Sequence, residues 1–63
     1  MNHELEGKQY HFEDGNSIEV VQVKSRDEGK LWVHYMVKHP GSMPRKLVME
    51  IHEFDTSFGH LFK

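Results

Sequence analysis

Sixty-three residues with a formal net charge of −2 and no cysteine make one small domain that must hold itself together without disulfides, thiolate metal sites or a cysteine nucleophile. No apolar run approaches the ~20 residues of a membrane span, and the start Met-Asn-His-Glu-Leu-Glu lacks the basic and then apolar regions of a secretory leader. The expectation is a soluble, cytoplasmic protein with no membrane partner and no cofactor.

In chain order, residues 1–6 have the composition of a frayed terminus. The chain lacks alanine and carries six valines and two isoleucines, a composition of strands and not of helices. Turn signals divide it. Glu13-Asp14-Gly15-Asn16 holds the Asp-Gly pair that tight hairpins favour, Ser25-Arg26-Asp27-Glu28-Gly29 is a second polar turn, and His39-Pro40-Gly41-Ser42-Met43-Pro44 is a third. Between them lie four predicted strands, residues 8–12, 17–24, 30–38 and 45–52, whose short connections imply an antiparallel meander. In the second, Ile18 and Val20 lie on one face and Val21 and Val23 on the other, so the alternation slips by one residue. The slip predicts a bulge or strong bend that lets one strand serve two sheet faces.

The third strand is apolar on both sides, with Leu31, Val33, Tyr35 and Val37 on one face and Trp32, His34 and Met36 on the other. One face belongs to the core, and the other needs a second cover. After Ile51, residues Phe54, Phe58 and Leu61 or Phe62 recur at helical spacing, although Thr56, Ser57 and Gly59 are poor helix formers. A helical turn over residues 53–58 with an extended end is expected. It should fold back over the second face and seal Trp32 beneath Phe54 and Phe58.

The fold class is therefore mainly β, a small antiparallel barrel or meander sheet of four to five strands closed by an aromatic tail, with residues 1–63 as one domain. The strand lengths, the bent second strand and the size resemble SH3-like small β-barrels across residues 8–52. The segment Gly7-Lys8-Gln9-Tyr10-His11-Phe12, then Asp14-Gly15 and Ile18-Glu19-Val20-Val21-Gln22-Val23, is similar to the opening of such barrels. This resemblance implies a fold and assigns no family's binding residues.

Charge is uneven along the chain: residues 1–29 hold three basic and seven acidic side chains, residues 30–49 four basic and none acidic, and residues 50–63 one basic and three acidic. These segments can attract one another across a sheet, or the basic stretch can meet an anionic partner. Six histidines, His3, His11, His34, His39, His52 and His60, fit no metal template and read as scattered imidazoles. A His34 and His52 pair near Glu50 is the one arrangement that could bind a metal or sense pH.

The competing reading leaves the second face of the third strand free, and Trp32, His34 and Met36 then form the strongest candidate interaction patch, since tryptophan anchors interfaces and methionine adapts to irregular partners. Lys38, Arg45 and Lys46 beside the Pro-Gly loop, with His39, would supply an electrostatic rim. Catalysis has little support. Asp55-Thr56-Ser57 reads as turn or cap chemistry, the paired carboxylates Glu13-Asp14 and Asp27-Glu28 lie in solvated turns, and so short a chain has little room for a substrate pocket of about 300–1,000 Å³. The expected function is a non-catalytic interaction module for a protein partner, with a second copy of itself as one candidate. The alternative is a weak nucleic-acid binder that uses the basic loop.

Overall fold

The computed structural model describes residues 4–26 and 28–62. Strands β1 (Gln9–His11), β2 (Ser17–Arg26), β3 (Lys30–Lys38) and β4 (Arg45–Glu50) form one antiparallel sheet in the order β1-β2-β3-β4, followed by helix α1 (Ile51–Phe58) and a 3₁₀ turn at Gly59–Leu61. The fold is mainly β, and of the two expected forms it is the open meander. The predicted fourth strand stops at Glu50, because its last two residues begin the helix.

The first turn shows why the short connections work. Asp14 Oδ1 accepts the Asn16 N–H at 2.9 Å, and Phe12 N donates to Asn16 O at 2.8 Å. Gly15 has φ +93°, and a Cβ there would come within 3.0 Å of Pro40 Cγ. Only glycine meets both demands without strain or displacement.

The bulge in β2 sits where the alternation slips, but its effect differs from the expected one. Val20 pairs with Tyr35 and Gln22 with His34, leaving Val21 without a counterpart. The extra residue shifts the phase, so that Val23, opposite Val33, returns to the face already occupied by Ile18 and Val20. Val21 is left 48% exposed. The bulge therefore keeps one strand loyal to one core instead of dividing it between two.

Of the terminus expected to fray, residues 1–3 lie outside the described part. Residues 4–7 form a turn tied to β2: Gly7 N donates to Val20 O at 2.9 Å, and the Glu6 carboxylate accepts the Val23 N–H at 2.7 Å. The carboxylate serves an amide donor that lies past the end of β1, where among the described residues no strand accepts it.

Ile18, Val20, Val33, Tyr35 and Phe54 make the buried core, with Leu5, Tyr10, Val23, Val37, Met49, Ile51, Phe58 and Phe62 packed around it. Tyr35 lies 5.4 Å from Phe54 and 5.9 Å from Phe58, and Phe54 lies 5.3 Å from Phe58 and 5.9 Å from Phe62, between ring centroids. Burial raises the Tyr35 phenol above its ordinary pKa. The helix forms despite its poor intrinsic formers because Glu50 caps its start, accepting the His52 N–H at 3.0 Å, and because Phe54 is wholly buried.

The tail covers the face opposite to the one expected. Phe54 and Phe58 pack on Tyr35, and successive β3 residues point to opposite sides, so Trp32 lies on the far face. Chain direction explains this. Met49 faces Val33 on the core side and Ile51 packs against the same cluster, so a helix that begins at Ile51 starts above that side. The end is also a 3₁₀ turn and not extended, with Phe62 N donating to Gly59 O at 3.1 Å.

Replacing Phe54 with alanine is expected to cost about 3–5 kcal/mol, comparable to the whole stability of a small domain. Urea unfolding followed by circular dichroism should then show no folded baseline at 25 °C, whereas Phe62→Ala should keep a cooperative transition at a lower midpoint.

Candidate functional site

The open face of the sheet is built by cross-strand register. On it, Glu19, Met36 and Lys46 form one row across β2, β3 and β4; Gln22, His34 and Val48 form the next; Lys24, Trp32 and Glu50 form the third. Trp32, His34 and Met36 are half-buried, and Val48 is 49% exposed. Among the described residues no helix or strand lies over this face, since α1 packs on the other.

Trp32 Nε1 and His34 Nε2 are shielded from solvent with no hydrogen-bond partner. A buried polar group left unpaired costs about 1–3 kcal/mol. Both atoms stand in the central strand of the open face, so its middle is already dry while its edges are charged.

The basic residues of the third loop do not gather into one site. Lys38 Nζ is 3.1 Å from Glu19 Oε1. Arg45 stands opposite Val37 on the core side of the sheet, and Lys46 stands opposite Met36 on the open side. Neighbours along a strand point to opposite faces, so adjacent basic residues cannot share an anion there. His39 Nδ1 lies 2.9 Å from Asn16 Oδ1 and links the first and third turns. Trp32, His34, Met36 and Lys46 are thus brought together, Lys38 joins them through its pairing with Glu19, and Arg45 is separated.

His34 stands opposite Val48, whereas His52 is on α1 with its Nδ1 2.8 Å from Glu50 Oε2. The expected imidazole pair does not form. Among the described residues no group of three histidine or acidic side chains could hold a metal, and His3 lies outside them. Thr56 Oγ1 donates to the His52 carbonyl at 2.9 Å, a bond back to the preceding turn of its own helix.

The cleft that so short a chain was expected to lack does exist. A depression of about 620 Å³ opens on the core side, where the turn at residues 4–7, the β2–β3 turn and α1 meet. Leu5, Leu31, Ile51, Phe54 and Phe62 wall it, and Lys8, Lys30, Glu4, Glu28 and Asp55 stand among its lining residues. Nothing local announces it, because three segments distant in sequence make it.

Glu50, named from sequence only as a neighbour of the expected histidine pair, also stands beside the site, opposite Trp32. Its carboxyl is held below its ordinary pKa first by the His52 backbone N–H, with the His52 ring adding to the effect and partial desolvation opposing it. A depressed carboxylate stabilises the fold above its unfolded pKa, and that contribution disappears as pH falls through the folded value. The melting temperature of Glu50→Ala should therefore lie below that of the parent at pH 7, and the gap should close in acid. A gap independent of pH would contradict the cap.

Among the described residues no helix is long and apolar enough to cross a membrane. Comparison with known proteins finds no matching family model, no matching curated protein and no matching solved structure.

Proposed function

We propose that the protein is a non-catalytic interaction module, a small β scaffold that presents the Trp32, His34 and Met36 face to another protein. The observation that supports this most is an aromatic and thioether-bearing sheet face, centred on the longest internal strand pairing, that the protein's own helix leaves uncovered. Exposed apolar surface framed by charge is characteristic of interaction sites. The shielded Trp32 and His34 nitrogens favour the same reading, since a partner would not have to strip water from them again.

Nucleic-acid binding gains less support. Lys38 is already ion-paired and Arg45 faces away from Lys46, so the basic residues of the third loop do not act together on a phosphate backbone. A short strand-rich scaffold of the SH3-like kind, working in the cytoplasm, suits this function.

The test is chemical-shift mapping of isotope-labelled protein in a clarified cell extract and with short single-stranded RNA. Perturbation concentrated at residues 32, 34, 36 and 48 in the extract, with 33 and 35 unmoved, is the expected result. Changes confined to residues 38–46 with RNA would replace this reading with the nucleic-acid one.

A further inference from the structure

The strand register sets five cations on the open face, Lys24, Arg26, Lys30, Lys38 and Lys46, against two carboxylates, Glu19 and Glu50. Both carboxylates are engaged. Glu19 holds Lys38 at 3.1 Å, and Glu50 Oε2 accepts the His52 N–H at 3.0 Å and lies 2.8 Å from His52 Nδ1. Among the described residues Lys24, Arg26, Lys30 and Lys46 have no ion pair. Arg26 and Lys30 stand opposite each other at the end of the β2–β3 hairpin, with Lys24 two residues along, opposite Trp32. Glu28 in the connecting turn borders the cleft on the core side, and Lys30 stands at the corner shared by cleft and face. Unanswered positive charge is therefore concentrated beside the indole.

We infer that the partner of this face is an acidic amphipathic helix of another protein, laid along β3 with its apolar stripe on Trp32, His34 and Met36 and its carboxylates over Lys24, Arg26 and Lys30. This rests on the interaction-module reading above and names the chemistry of the occupant. The dimensions fit. From Lys30 to Lys38, β3 extends about 26 Å at about 3.3 Å per residue, the length of about 18 helical residues. The apolar strip follows β3 with Val48 beside it, bounded by Gln22 and Lys24 on β2 and by Lys46 and Glu50 on β4. Outer strands about 10 Å apart admit one helix of about that diameter, and an apolar stripe at three- and four-residue spacing matches so narrow a strip. Because α1 already covers the core side, a second helix gives the sheet a layer on each face.

Single-stranded nucleic acid needs cations along its backbone and rings for successive bases. Here Lys46, opposite Met36, is well along the strand from the hairpin cations, and past Trp32 and His34 the face offers Met36 and Val48, which do not stack. The charge therefore favours carboxylates carried on an apolar helix.

Trp32 is the one tryptophan in the chain, so its fluorescence reports on this face. The full chain is titrated with a tryptophan-free helical peptide of about 18 residues carrying a leucine stripe and glutamate flanks, with the same peptide bearing lysine for glutamate, and with oligouridylate. The glutamate peptide should shift the emission saturably and bind more tightly as salt falls, and the lysine peptide should leave it unchanged. Lys24→Glu combined with Arg26→Glu should weaken the glutamate peptide at least about tenfold, whereas Arg45→Glu, on the core side of the sheet, should not alter it. Circular dichroism on each variant separates lost binding from lost folding.

Equal response to both peptides, no response to either, or a glutamate-peptide affinity unmoved in a folded double variant would overturn the acidic helix. Oligouridylate that binds more tightly than the glutamate peptide would overturn it in favour of nucleic acid. Where the peptide arms fail, extract-induced shifts at residues 32, 34, 36 and 48 that survive in the double variant would leave the interaction-module reading intact.

Discussion

The whole molecule depends on one constraint, that a strand shows its side chains alternately to two sides while this chain has core material for only one. β3 is apolar on both faces, yet a single short helix follows the sheet. Whichever face the helix takes becomes the interior, and the other must find a use elsewhere. The choice is made at the β4–α1 junction. Met49 and Ile51 already point to the core side, Glu50 caps the helix between them, and Phe54 and Phe58 descend on Tyr35.

The bulge at Val21 is the second half of the same constraint. Without it, Val23 would face away from Ile18 and Val20, and the interior would lose a side chain it cannot spare in so short a chain. With it, the apolar residues on both sides of the slip serve one core. The N-terminal turn, through Glu6 and Gly7, fastens the strand on either side of the irregularity. One extra residue in β2 thus strengthens the core face and leaves the open face with Gln22 and Lys24 beside the aromatic centre.

Much of this architecture was legible in the sequence, because strand existence follows from local alternation and turn chemistry. The ends of β3, the Asp-Gly turn and the position of the bulge could all be read from neighbouring residues. The choice of face for the tail could not. It depends on the angle at which a helix leaves β4, which is set by side chains meeting across the sheet and not by periodicity. The basic loop misled for a related reason. Lys38, Arg45 and Lys46 are close in sequence, but β pleating sends Arg45 and Lys46 to opposite sides and Lys38 to Glu19.

Trp32 lies outside the core and Val33 inside it, and a pair of substitutions tests that directly. Denaturant unfolding of Trp32→Thr and Val33→Thr, followed by circular dichroism, compares two neighbouring residues that face opposite sides of the sheet. Cooperative unfolding of Trp32→Thr with a modestly lowered midpoint, beside loss of the folded state in Val33→Thr, is the predicted result. A Trp32→Thr chain that fails to fold while Val33→Thr remains cooperative would contradict it.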